Sequence, residues 1–231
     1  MIVTDRFVFL HLHKSGGSFV NECLRLHVPG ARQIGYHLPA SLIPVGVRHL
    51  PVVGLVRNPW SYYVSWFSFQ REMSQPNALF RVLSDDGRLD FSGTVNNMLD
   101  LGQDDALLSR VTNLLPSGYG SRGLNLPGFA LAPIRGSGLG FYSFLYQYMY
   151  AACASPPHIG RMEGLPGELL ALFDATGQPA SAALHEHLLR APPVNTSRHG
   201  DYATYYEPAL RDRVAAQDAL VIGQYGYAFG A

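Results

Sequence analysis

The chain has 231 residues, a formal net charge of zero and 47% hydrophobic residues, enough to bury a sizeable core in one domain spanning 1–231. The balanced charge argues against binding to nucleic acid or anionic membranes that is driven by overall charge. No stretch approaches the length of a membrane span, and the short apolar run at 7–12 has no cleavage-type site after it, so we expect neither a span nor a signal peptide. The two cysteines, Cys23 and Cys153, favour free thiols in the cytoplasm.

The basic residues contain one irregularity. Sixteen of the 17 are Arg, and the remaining one is Lys14. The chain otherwise uses Arg for its positive charge. Lys14 is therefore a candidate for a position that requires a compact ammonium.

The first 75 residues predict a strand–loop–helix unit that occurs twice. The apolar run at 7–12 is typical of a buried parallel strand, and a helical pattern begins at Ser18. A second buried strand is predicted at 50–56. Pro59 then suits the first turn of a helix that continues to Gln70. This alternation predicts a parallel sheet with right-handed crossovers.

The rest of the chain is less regular. Its periodicity predicts helices at 104–115, 139–152, 166–174, 181–190 and 207–222, and a strand at 158–163. The segments 84–93 and 117–140 are rich in Gly, Ser, Asp and Pro. We expect long functional loops there, so that 84–140 forms a largely irregular insert.

The first candidate site lies in the sequence HLHKSGGSF at 11–19, between strand and helix. A glycine-rich turn exposes backbone N–H groups at a helix N-terminus, which favours an anion, and Lys14 adds a positive charge. The nucleotide-hydrolase pattern with Lys after the glycines is absent, and Arg57 stands where an acidic magnesium ligand would follow the next strand. A magnesium-dependent triphosphatase is therefore disfavoured, while an ordinary strand–helix turn stays open.

The second candidate site is the segment RNPWSYYVS, which follows the second predicted strand. Arg57 closes this strand, and Ser65 lies eight residues later in the predicted helix. A guanidinium at a strand end can bind a phosphate through two parallel hydrogen bonds. The alternative for Arg57 is a solvated strand end or an ion pair that caps a helix.

Together the two segments resemble the cofactor signatures of sulfotransferases that use 3′-phosphoadenosine-5′-phosphosulfate (PAPS). The first is similar to the 5′-phosphosulfate loop and the second to the 3′-phosphate element of this family. Segments 158–165 and 195–229 are also similar to family patterns, whereas 84–140 matches nothing specific. His13 departs from the family, which usually has Pro before the lysine. The closest style is that of small bacterial carbohydrate sulfotransferases and heparan sulfate 2-O-sulfotransferases.

The resemblance implies a P-loop-like, three-layer α/β fold with a central, mostly parallel sheet flanked by helices. It implies an enzyme that moves a sulfuryl group from PAPS, the co-substrate, to a hydroxyl of a carbohydrate or small-molecule acceptor, without a metal. The insert at 84–140 would then lie on the acceptor side. Two alternatives stay open: a P-loop-type kinase or nucleotide hydrolase, and a non-catalytic nucleotide-binding relative.

The resemblance also implies roles for individual residues. Lys14 would be catalytic, because its ammonium can stabilise charge on the bridging oxygen of the leaving phosphate. The residues implied in cofactor binding are Lys14, Ser15, Gly16, Gly17, Ser18 and Phe19 for the 5′-phosphate, and Arg57, Ser65 and Arg198 for the 3′-phosphate.

His37 is the predicted catalytic base. It lies twenty residues before Arg57, where the heparan sulfate 2-O-sulfotransferases carry a catalytic histidine, and an imidazole suits proton transfer near neutral pH. The alternatives are that His37 has no role in its loop and that His13 is the base. The spacing of His11 and His13 is also compatible with a metal, but no third ligand is evident in the sequence.

Overall fold

The computed structural model describes residues 1–120, 123–190 and 199–230. Its β-strands are β1 (Ile2–Val3), β2 (Val8–Leu10), β3 (Arg32–Gln33), β4 (Val52–Val56) and β5 (His158–Arg161). Its α-helices are α1 (Gly17–His27), α2 (Pro59–Glu72), α3 (Ala78–Leu83), α4 (Phe91–Asp100), α5 (Asp105–Thr112), α6 (Gly128–Leu131), α7 (Phe141–Tyr150), α8 (Leu165–Ala175), α9 (Ala182–Arg190), α10 (Pro208–Gln217) and α11 (Ala219–Tyr225). The architecture is α/β, with a mixed sheet flanked by helices.

The strands form one sheet in the order β3-β1-β2-β4-β5. β2, β4 and β5 run parallel to one another, as the strand–loop–helix pattern predicts. The sheet is mixed and not fully parallel, because β1 pairs antiparallel with both β2 and β3. For β1 and β2 the cause is a tight turn in which the N–H of Thr4 donates to the Phe7 carbonyl at 3.0 Å. Such a turn can join only antiparallel neighbours.

The described residues group into two compact units. The sheet unit comprises 1–57, 120, 123–124 and 148–190, and the helical unit comprises 58–119, 125–147 and 199–230. α7 is the helix with residues in both groups.

The core of the sheet unit forms where α1, α8 and α9 pack on the sheet. Its buried side chains come from the strands (Phe9, Val53, Leu55), from α1 (Val20, Leu24), from α8 (Leu169, Phe173) and from α9 (Leu184, Leu188). Burial of these apolar side chains stabilises the packing of the helices on the sheet. Because β2 and β4 are parallel neighbours, their carboxyl ends lie next to each other.

The helical unit has a polar centre. Asp218 is fully buried and separates α10 from α11, where the sequence predicts one helix over 207–222. Its carboxylate accepts a hydrogen bond from the Tyr63 hydroxyl at 2.7 Å and another from the N–H of Ser143 at 2.7 Å. Burial raises the pKa of Asp218 to about 6. The helix break at Asp218 places its carboxylate next to these donors. The apolar periodicity of the sequence continues through the break, so it does not predict it.

Segment 84–140 contains α4, α5 and α6. α5 confirms the helix predicted at 104–115, whereas α4 begins within 84–93 and α6 lies within 117–140, the two segments expected to be loops. The Asp90 side chain caps α4 by accepting from the Gly93 N–H at 2.8 Å. The helix buries Val95, Met98 and Leu99. Gly93 and neighbouring polar residues mask this pattern in the sequence, which explains why the prediction of an irregular insert is wrong for this part.

Both cysteines are free thiols; Cys23 is buried in the core and Cys153 is partly exposed. Among the described helices, none combines the length and the apolar character that crossing a membrane requires.

Candidate functional site

The two sequence motifs meet at one edge of the sheet. Because β2 and β4 are parallel neighbours, the loop after β2 and the residue that closes β4 emerge on the same side. The Arg57 side chain donates from Nη1 to the Lys14 carbonyl oxygen at 3.2 Å. The guanidinium of Arg57 thus lies beside the loop that contains Lys14.

The loop from His13 to Gly16 has an unusual backbone. Lys14 has φ +54° and Gly16 has φ +75°, both in the left-handed region. The Ser15 hydroxyl donates to the His13 carbonyl at 3.1 Å and tightens the turn. A lysine held in this region costs free energy, and such strain is concentrated at functional sites in proteins.

Helix α1 begins directly after this turn, with Gly16 at the N-cap position. No side chain caps it, and its first turn contains no acidic residue. The N–H groups of Phe19 and Val20 donate back to the Gly16 carbonyl. A helix start without a carboxylate cap keeps the favourable field of its dipole for an external anion.

The two glycines of the loop are required for different reasons. Gly16 supplies the left-handed φ, and a Cβ there would also lie 2.7 Å from a Leu165 methyl. Gly17 has an ordinary backbone, but a Cβ would lie only 1.9 Å from Cδ2 of the His11 ring. The glycine pair therefore has a packing function in addition to any role in anion binding.

Three histidines lie beside this loop and form a cluster that we call the histidine stack: His11, His13 and His37. The ring of His37 is stacked on that of His13, with centroids 3.9 Å apart and planes at 12°. It also contacts the His11 ring at 4.3 Å. His11 and His13 are buried, whereas His37 is partly exposed. The structure thus brings the predicted base next to the predicted phosphosulfate loop.

Hydrogen bonds to carbonyl groups fix the tautomers in the stack. Nδ1 of His37 lies 2.9 Å from the His11 carbonyl oxygen. Since a carbonyl only accepts, Nδ1 carries the hydrogen, and Nε2 of neutral His37 holds the lone pair. Likewise Nε2 of His13 donates to the Leu124 carbonyl. The other nitrogen, His13 Nδ1, is buried and has no hydrogen-bond partner among the residues that the structure describes.

The surroundings of the stack favour the neutral form of its rings. Burial lowers the pKa of His13 to about 4, and burial together with the neighbouring histidines places the pKa values of His11 and His37 well below the usual value. His37 also has φ +52°, which makes it the third left-handed residue at this site, after Lys14 and Gly16. A neutral imidazole with its lone pair on Nε2 can accept a proton from a bound hydroxyl.

The predicted site residues divide between the units. Lys14 to Phe19, His37 and Arg57 lie in the sheet unit, and the Phe19 side chain is in its hydrophobic core. Ser65 is buried in α2, within the helical unit. Arg198 lies outside the described residues.

The sequence did not reveal the contact between His13 and His37. Their 24-residue separation follows no local period, and the spacing of His11 and His13 drew attention to a metal instead. In the part of the chain that the structure describes, no group of three or more His, Cys, Asp or Glu side chains is arranged to hold a metal ion. The local sequence gives one signal of close packing here. A bulky ring, that of His11, stands shortly before the pair of glycines, and it packs against Gly17.

A scan of the chain against models of protein families gives no match, and neither does a search of curated proteins.

Proposed function

We propose that this protein is a PAPS-dependent sulfotransferase that moves the sulfuryl group to a hydroxyl of a carbohydrate or small molecule. The observation that carries the proposal is the contact between the two motifs, in which Arg57 Nη1 donates to the Lys14 carbonyl at 3.2 Å. The resemblance of both segments to PAPS-binding signatures gives this contact a specific chemical meaning.

The charges around the loop suit a ligand with more than one phosphate. The first turn of α1 and Lys14 would bind the 5′-phosphosulfate, through backbone N–H groups from Ser15 to Phe19. Arg57 would bind the 3′-phosphate, with Ser65 and Arg198 as further proposed ligands. Two separate cationic positions of this kind select PAPS over a nucleotide without a 3′-phosphate.

Sulfuryl transfer needs an in-line attack by the acceptor oxygen on sulfur. The S–O bond to the phosphate breaks as the new S–O bond forms, and negative charge grows on the bridging oxygen. Lys14 would stabilise that charge. His37 Nε2 would take the proton of the acceptor hydroxyl, since its Nδ1 already donates to the His11 carbonyl.

The finer features belong to the same proposal: a P-loop-like, three-layer topology, a cytoplasmic location, and acceptor selection by residues of 84–140. The parallel pairing of β2, β4 and β5 supports this topology. In open α/β sheets ligands bind at the carboxyl ends of such strands, which is where the proposed site lies.

The direct test is thermal unfolding with 3′,5′-adenosine bisphosphate, the product nucleotide. At about 100 times its Kd the ligand should add about 3 kcal/mol to the free energy of unfolding and raise Tm by about 5–10 °C. Arg57→Ala should remove most of this shift, while Arg81→Ala, which alters an exposed ion pair in the helical unit, should not. No shift at millimolar nucleotide would overturn the proposal.

The same measurement separates the two alternatives. A larger shift with ATP and Mg²⁺ than with the bisphosphate would favour a kinase or nucleotide hydrolase. Binding of the bisphosphate without transfer of labelled sulfate to any member of an acceptor screen would favour a non-catalytic relative.

A further inference from the structure

His13 is the residue at which the loop departs from the resemblance, and the structure gives it a surrounding of its own. Its ring is buried and is nearly parallel to the ring of His37 at 3.9 Å. A proline, which the PAPS-dependent family usually has here, has no flat aromatic face for such a contact.

Two further contacts hold the pair in place. Nε2 of His13 donates to the Leu124 carbonyl, which ties its ring to the segment 123–124. On the other ring, Nδ1 of His37 donates to the His11 carbonyl at 2.9 Å. Each imidazole is thus held by one hydrogen bond to the backbone and by the face of the other.

His37 has a strained backbone conformation, which contacts with the stack must stabilise. With φ +52°, His37 occupies a conformation that costs free energy for a side chain with a Cβ, and surrounding contacts must compensate for it. His13 and His11 supply ring contacts, and Tyr36 and His11 approach each other at 6.0 Å. Without the His13 ring, His37 loses one of its two closest aromatic neighbours.

We propose that His13 is a positioning residue for His37: its stacked ring holds the His37 imidazole in the orientation in which Nδ1 donates to the His11 carbonyl, so that the lone pair stays on Nε2. The inference rests on the proposed function, in which His37 accepts the acceptor's proton, and it names the residue that orients this base. The titratable groups that act on His37 are His13, His11 and the amine of Met1, all of which disfavour a charged His37 ring.

The test compares His13→Ala, which removes the ring, with His13→Phe, which keeps a flat ring but no ring nitrogen. Histidine resonances of the ligand-free protein are titrated by NMR, and kcat and KM are measured against pH. In His13→Ala we expect the pKa of His37 to rise, because the ring becomes less buried and loses the neighbouring His13, and kcat to fall about 10–100-fold with an unchanged KM for PAPS. His13→Phe should retain the tautomer and most of kcat.

Two more variants complete the test. Leucine in His13→Leu has a volume similar to that of histidine but no flat face. We expect this variant to show the changes predicted for His13→Ala, so the test stays decisive if the alanine variant fails to fold. His185→Ala removes an exposed histidine on α9 of the same unit and should change neither readout. An unchanged His37 titration and an unchanged pH profile of kcat in both His13→Ala and His13→Leu would overturn the positioning role.

The NMR titration needs neither PAPS nor an acceptor, so it distinguishes the two proposals. If wild-type protein fails to bind the bisphosphate, the proposed function fails, whereas the shift of His37 in His13→Leu still decides whether His13 holds that ring. If binding and transfer occur but the titration is unaffected, the positioning role alone is wrong.

Discussion

The histidine stack in the sheet unit and the Asp218 cluster in the helical unit are both buried groups of titratable side chains. Asp218 has well-aligned donors, the Tyr63 hydroxyl and the Ser143 N–H, each at 2.7 Å. In the stack, by contrast, two of the rings bond to backbone carbonyls and stack on each other. Among the described residues, each group also contains a buried polar atom without a hydrogen-bond partner, Nδ1 of His13 in the stack and Oγ of Ser143 beside Asp218.

Their backbones differ as well. Lys14 and His37 have φ values of +54° and +52°, whereas Asp218 has φ −96° at an ordinary helix junction. Backbone strain reduces stability, so proteins retain it mainly where chemistry requires it. The strained backbone therefore supports the catalytic role that we propose for the stack and its loop, whereas the bonds of Asp218 hold helices together.

The largest expected effect comes from Lys14→Ala. Loss of the ammonium should reduce the transfer rate about 100–1,000-fold, because charge on the bridging oxygen loses its stabilising partner. Binding of 3′,5′-adenosine bisphosphate should largely persist through Arg57. Steady-state kinetics and thermal shift measure the two properties separately, and an unchanged turnover would show that the role of Lys14 is wrong.

Lys14→Arg is the matched control for that variant. It keeps the positive charge but replaces a compact ammonium with a planar guanidinium. We expect much of the rate to be lost, though less than in Lys14→Ala. A fully active Lys14→Arg would mean that charge alone suffices at this position.

Asp218→Asn tests the other side of the comparison. Since the folded pKa of Asp218 is about 6 and the ordinary value is 3.8, the folded state binds a proton more tightly than the unfolded chain. The free energy of unfolding should fall as pH rises from about 4 to about 6, by about 3 kcal/mol in total. Asp218→Asn should remove this slope, as measured by urea unfolding at each pH.

Glu207→Gln is the control for the acidic titration. Glu207 is exposed at the start of α10 in the same unit, and its replacement should leave the slope between pH 4 and 6 intact. A slope that survives in Asp218→Asn would mean that Asp218 ionises in the folded state as easily as in the unfolded chain.

The smallest expected effect comes from Gly17→Ala, which tests the packing of the loop on the histidine stack. A Cβ would lie 1.9 Å from the His11 ring, so the ring must move, at a cost of about 1–3 kcal/mol in stability. Gly167→Ala, in α8 with open space around the Cβ, should instead stabilise the protein by about 0.5–1 kcal/mol. Thermal unfolding of both variants should therefore give shifts of opposite sign.

Much of the α/β architecture could be predicted because local patterns determine it. The apolar runs at 7–12 and 50–56 gave β2 and β4, and Pro59 stands at the first position of α2 as expected. β1 and β3 have two residues each, too few for a periodic signal. Their antiparallel pairing therefore could not be predicted from the sequence, and this pairing makes the sheet mixed.

The candidate site could be predicted only in part. The loop with Lys14 and the strand end with Arg57 are local motifs, so their positions follow from the sequence. The contact of His13 with His37, and that of the His11 ring with Gly17, depend on how distant segments fold together. The break at Asp218 was hidden for a different reason, since the apolar pattern continues through it.

The partly exposed Lys14 has a practical consequence for chemical labelling. Because it is the only lysine in the sequence, an amine-directed reagent has one side-chain target in the whole protein. Peptide mass spectrometry of acetylated protein would then report the occupancy of this loop directly. Slower acetylation at Lys14 in the presence of a nucleotide would locate the ligand without any assay of turnover.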